Sequence, residues 1–94
     1  MKKLAEIYPP LSFIVEEMQE RGWSKEVLQR QTGLSYERIE RIFNGESIGK
    51  SLAIVLGRTF GTSTDYWLNL QAIWNIALEI AIEEELCWKS KVSP

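Results

Sequence analysis

The sequence contains no histidine and a single cysteine, Cys87. Without histidine there is no Ser-His-Asp or Cys-His relay and no imidazole metal ligand. One cysteine permits neither an internal disulfide nor a cysteine-based zinc site. Excess basic charge is missing too: 11 Lys and Arg face 13 Asp and Glu, a formal net charge of −2. A strongly basic nucleic-acid-binding coat is thereby excluded, and any DNA affinity must come from local placement of charge. No uncharged apolar stretch reaches membrane-spanning length, because Asn69, Gln71 and Asn75 interrupt the most apolar segment. The opening Met1-Lys2-Lys3-Leu4-Ala5-Glu6 is charged but leads into no apolar run of the signal-peptide kind. The expected location is the cytoplasm, with no membrane partner. The groups that remain offer no catalytic residue, metal site or cofactor site, and an enzyme is the least supported reading.

What is present suits one folded unit. A chain of 94 residues can bury one core and not two. Hydrophobic residues at 45%, together with four Trp, three Tyr and three Phe, supply that core and disfavour disorder. The punctuation predicts five helices, over about 11–21, 25–32, 36–43, 50–60 and 64–88, in a single all-α domain spanning 1–94. Pro9-Pro10 precedes the first, with Leu11, Ile14, Val15 and Met18 at helical spacing. Ser24, Ser35 and Ser63 are expected N-caps, and Gly22, Gly33, Asn44-Gly45 and Gly61 are expected terminators. Ile39, Ile42 and Phe43 form the inward face of the third helix; Leu52, Ala53, Leu56 and Phe60 form that of the fourth. No strand-like alternation competes.

The last helix is apolar around most of its circumference. Tyr66, Trp67, Leu70, Ile73, Trp74, Ala77, Leu78, Ala81 and Ile82 form the expected inward stripe, while Leu68, Ile76 and Ile80 lie off it. Such a helix is buried on more than one side. A domain this small covers only one, so the other is expected to meet a second copy, with Ile73, Ile76, Ile80 and Leu86 as dimer contacts. The alternative is a central helix wrapped by its own core.

Residues 24–45 have helix-turn-helix spacing. Gly33 allows a sharp reversal, and Leu28 and Leu34 are placed to bury against Ile39 and Ile42, fixing the two helices at a steep angle. The second helix then stands free to enter a major groove N-terminus first. Lys25, Ser35, Tyr36, Arg38, Arg41 and Asn44 are the candidate nucleic-acid-binding residues, with Lys50 a weaker one. Each has a plainer role available. Ser35 serves as a helix cap, and Arg38 and Arg41 can pair with Glu37, Glu40 or other nearby acids. Trp23, Trp67 and Trp74 are expected as core or interface anchors; Cys87 and Trp88 cap a dimer seam or sit half-exposed. Glu83-Glu84-Glu85 reads as a solvated face that a basic partner could use.

Further short blocks extend the pattern. They are Gly22-Trp23-Ser24, Thr32-Gly33-Leu34-Ser35, Arg41-Ile42-Phe43-Asn44-Gly45, Phe60-Gly61-Thr62-Ser63 and Tyr66-Trp67-Leu68-Asn69-Leu70-Gln71. With these, residues 8–75 resemble the HigA-type antitoxin branch of the lambda-repressor-like (XRE) helix-turn-helix family. The resemblance implies a five-helix domain that dimerises and binds palindromic double-stranded DNA. It also implies, in many members, binding of a small ribonuclease toxin and repression of the protein's own operon; other members are phage or prophage regulators.

The chain departs from that pattern mostly on the DNA side. Gln29 stands where alanine is usual, and added volume there costs about 1–3 kcal/mol unless the helix pair repacks. Glu37 and Glu40 replace small hydroxyl residues, Tyr36 stands where an arginine often reads a base, and Glu46 stands where lysine or arginine is common. Between Ser24 and Gly45, Lys25, Arg30, Arg38 and Arg41 face Glu26, Glu37 and Glu40, a net of +1. Weak or dimer-dependent DNA binding is the expectation. The alternative is a protein-interaction module on the same fold whose DNA face has been lost.

Overall fold

A computed structural model describes the backbone of residues 8–92 and the side chains of residues 8–84. Five helices follow one another: α1 (Pro10–Arg21), α2 (Lys25–Thr32), α3 (Tyr36–Phe43), α4 (Lys50–Phe60) and α5 (Thr64–Val92). No strand occurs among the described residues. The middle three run as the spacing predicts. α1 begins one residue earlier, at Pro10, where a missing N–H costs a helix nothing. α5 runs past 88 to Val92.

The caps explain the boundaries. The Val27 N–H donates to Ser24 Oγ (3.3 Å), the Arg38 N–H to Ser35 Oγ (3.1 Å) and the Tyr66 N–H to Ser63 Oγ (3.1 Å). Each satisfies a backbone donor that the first helical turn leaves unpaired. Asn44-Gly45 ends α3 as expected, with Asn44 keeping ordinary backbone at φ −89° and Gly45 turning left-handed at φ +92°.

The core draws on all five helices. Ile14 and Met18 come from α1, Leu28 from α2, Ile39 and Ile42 from α3, and Leu52, Ala53, Leu56 and Phe60 from α4. Trp67 from α5 fills the centre and is fully buried. Its indole Nε1–H donates to Thr62 Oγ1 (2.7 Å), its ring meets Phe60 at 5.9 Å between centroids, and Tyr66 stands edge-on to it at 5.1 Å. Trp23 stacks on the other side of Phe60 at 5.7 Å, half-buried. The Arg21 guanidinium covers both of those rings and donates to the Phe60 carbonyl (3.2 Å), so the ends of α1 and α4 are tied together. Gly57 permits the close return of the chain after α4: a Cβ there would lie 2.8 Å from the Thr62 carbonyl oxygen. Partial burial, with the carboxylates of Glu17 and Glu16 adding, raises the Tyr66 hydroxyl above its usual pKa, so it is neutral at neutral pH.

The expected inward stripe of α5 holds for only part of its length. Trp67 and Ala77 are buried, and Leu70, Trp74 and Ala81 are half-buried. Tyr66, Ile73, Leu78 and Ile82 are exposed, contrary to expectation. Tyr66 and Ile73 sit about 100–120° around the helix from Trp67, at the edge of its buried side, and Leu78 and Ile82 follow Ala77, the last buried residue of α5 among those described. A polar side chain takes the place of an apolar one at the contact: Gln71 is buried, its Oε1 accepts the Ile48 N–H (2.8 Å), and its Nε2 donates to Asn75 Oδ1 (3.0 Å). Ile48 lies in the connection between α3 and α4, outside any helix, so its amide has no ladder partner and requires one from elsewhere. Among the described residues no helix is long and apolar enough to cross a membrane.

Candidate nucleic-acid interface

The unit formed by α2 and α3 begins at Ser24 and turns at Gly33, whose φ of +76° is the left-handed conformation that glycine adopts without strain. Thr32 ties that turn. Its hydroxyl donates to the Leu28 carbonyl (2.8 Å), and its oxygen lies 3.3 Å from the Leu34 N–H that donates to it. Sequence spacing identifies Gly33 but not this second fastening. Leu28, Ile39 and Ile42 are buried as expected, whereas Leu34 is half-buried and packs at the margin of the core. With Ile39 and Ile42 as its anchored side, α3 presents its remaining faces outward. Gln29 is half-buried and lines a shallow cleft with Tyr36 and Glu40, between α2 and α3.

Of the candidate contact residues, Tyr36 is 64% exposed at the first position of α3, and the Arg41 side chain one face round is exposed to the same degree. Ser35 and Asn44 are exposed at the two ends of the same helix. The Ser35 oxygen is engaged as the cap, and the Asn44 N–H closes the last turn onto the Glu40 and Arg41 carbonyls. Lys50 is exposed at the start of α4.

Lys25, Arg38 and Arg41 each lie beside an acid of the chain. Lys25 Nζ lies 3.3 Å from Glu40 Oε2 and 4.6 Å from the centre of the Phe43 ring, which is half-buried rather than part of the core. Arg38 Nε lies 3.3 Å from Glu46 Oε2, and Arg41 Nε lies 3.4 Å from Glu46 Oε1. One carboxylate therefore serves two arginines that lie about one helical turn apart. The sequence placed Glu37 and Glu40 as their first potential partners; the partner found is the residue beyond the Gly45 turn. These groups are partly solvated, so the bridges are weak in free energy and set geometry more than stability.

The proposed dimer contacts divide. Ile73, Ile76 and Ile80 are 53%, 55% and 47% exposed on α5, and nothing in the chain's described body covers them. The side chain of Leu86 lies outside the described residues, as do those of Glu85, Cys87 and Trp88. Glu83 and Glu84 are exposed. An open cleft of about 290 Å³ lies where the start of α1, the connection after α3 and α5 meet, with Ile14, Ile42, Trp74 and Leu78 as walls and Gln71 and Asn75 as polar lining. Among the described residues no three His, Cys, Asp or Glu side chains gather as a metal site.

The sequence pattern of one protein family, described as helix-turn-helix, matches residues 14–67, more than half of the chain. Among solved structures, PA4674 of Pseudomonas aeruginosa in complex with its 18 bp operator DNA is similar, at 27% sequence identity and a TM-score of 0.75. The similarity covers 94% of this chain and 96% of that one. No curated protein matches.

Proposed function

The chain belongs to the helix-turn-helix family, and from that premise we propose that it is a DNA-binding transcription regulator that lays α3 in the major groove. The observation that carries this is its likeness, along nearly its whole length, to a protein solved on operator DNA. The form of α3 agrees with it: the back is anchored by Ile39 and Ile42, while Tyr36 and Arg41 project into solvent. Binding to duplex from upstream of its own coding sequence, followed by fluorescence anisotropy, tests the reading. Affinity should fall steeply with added salt, because released counterions dominate such binding. No binding at low salt would overturn it.

The regulator acts as a homodimer in this proposal. Three isoleucines left half-bare on one stretch of α5 are the support; a dimer that reads a palindrome presents its two copies of α3 about 34 Å apart, one turn of DNA. Ile76→Glu should give a folded monomer by sedimentation with weakened operator binding, since a charge buried between two copies has no partner. A variant that stays dimeric would remove Ile76 from the interface.

The finer role is that of an antitoxin-type autorepressor, which rests on the Tyr66–Gln71 block and the resemblance it carries. A small basic protein encoded beside it and co-purifying with it is the expected partner, and the exposed acids Glu83 and Glu84 are suited to it. A second reading is favoured by one observation: Lys25, Arg38 and Arg41 all lie beside acids of their own chain. On that reading the domain binds a protein partner only, and the anisotropy experiment separates the two.

A further inference from the structure

We propose that Glu46 is a built-in competitor for the DNA backbone, occupying Arg38 and Arg41 in the free protein and limiting the affinity of the α3 face. The inference rests on the DNA-binding reading above.

The observations concern geometry and charge. Gly45, at φ +92°, turns the chain back after α3, and the Glu46 N–H donates to the Arg41 carbonyl (3.1 Å). That return sets the Glu46 carboxylate against Arg38 and Arg41 at 3.3 and 3.4 Å, one oxygen to each guanidinium. A phosphate group approaching this face would offer the same two arginines the same kind of acceptor. Including Glu46, the stretch from Ser24 carries four basic and four acidic residues and no net charge. The basic excess that would attract a phosphate backbone is therefore cancelled by this residue.

A rigid positioning role fits the geometry less well. Arg38 Nε is shielded from solvent yet makes no hydrogen bond, despite its 3.3 Å separation from the carboxylate. A side chain that orients an arginine for base reading does so through aligned hydrogen bonds. Here the donor is close to its acceptor but misaligned, so the contact is electrostatic and easily exchanged. A buried N–H without an acceptor gains by finding a better one.

Removing the charge releases both arginines. One additional phosphate contact changes the slope of log K against log salt by about −0.9, a factor of about 8 for each tenfold fall in salt. Glu46→Gln should therefore tighten duplex binding by about eightfold per bound copy at 0.1 M salt, steepen the salt slope by about 1 per copy, and lose its advantage as salt nears 1 M. Glu46→Ala removes the charge without leaving an amide, and it is measured beside it. Glu20→Gln supplies the same change in net charge from an exposed site on α1.

The probes are the protein's own upstream duplex and a mixed-sequence duplex of equal length, titrated across a range of salt. Circular dichroism shows that each variant is folded. Tighter and more salt-sensitive binding by the Glu46 variants alone supports the proposal. Unchanged or weaker binding by folded Glu46 variants overturns it, and so does equal tightening by Glu20→Gln, which would reduce the effect to net charge. If neither wild type nor variant binds either duplex at low salt, the DNA-binding reading itself falls.

Discussion

Trp67→Ala is expected to destabilise the fold by about 3–5 kcal/mol, the range for deleting a fully buried aromatic side chain. No part of Trp67 reaches solvent, and Phe60 and Tyr66 pack against it from different directions. The substitution also strands the Thr62 hydroxyl oxygen, which accepts the indole N–H. Thr62 lies in the short link between α4 and α5, so the loss falls where the long helix is joined to the body. For a domain of this size each kcal/mol lowers the melting temperature by about 4–8 °C, and total stability is only about 5–15 kcal/mol. Urea unfolding followed by circular dichroism measures the change. A loss below about 1 kcal/mol would mean that the core is not organised around this ring.

Ile39→Ala is expected to cost about 2–5 kcal/mol, and Ile42→Ala a similar amount. Both side chains are almost completely buried where α3 meets the rest of the core. They differ from Trp67 in what else they control. Ile39 shares its helix with Tyr36, Arg38 and Arg41, so a cavity behind it loosens the orientation of the whole outward face. Operator affinity should fall for Ile39→Ala even at temperatures where circular dichroism reports a folded protein. Near-neutral stability for both substitutions would remove the lock on which the helix-turn-helix geometry depends.

The helix boundaries were legible because local chemistry specifies them. A serine oxygen over an unpaired N–H opens α2, α3 and α5, and a glycine at positive φ follows α1, α2 and α4; both are decided within a few residues. The burial of α5 was not legible. Helical spacing tells which residues share a face, but it does not tell how far the neighbouring helices extend along it. Leu78 and Ile82 share a side with Trp67 and still remain outside, whereas Ile73 lies at the edge of that side.

The candidate site shows the same division. Tyr36, Arg38 and Arg41 were placed on α3 by spacing alone, and Glu46 was marked by its departure from the resembled pattern. That Glu46 reaches both arginines depends on the backbone path through Gly45, which composition does not record. In the sequence Gln71 interrupts an apolar run and closes the Tyr66–Gln71 block, and neither feature names its partner. Its value lies in Ile48, 23 residues earlier, whose N–H donates to it. Sequence spacing cannot pair a glutamine with one loop amide at that separation.

That amide has a use in the laboratory. In most of this protein, slow deuterium uptake at a backbone site reports the opening of the helix that contains it. Ile48 lies in no helix, and its protecting acceptor, Gln71, belongs to α5. Exchange there is governed by how often α5 lifts from the body, so one resonance times the detachment of the arm that carries Ile73, Ile76 and Ile80.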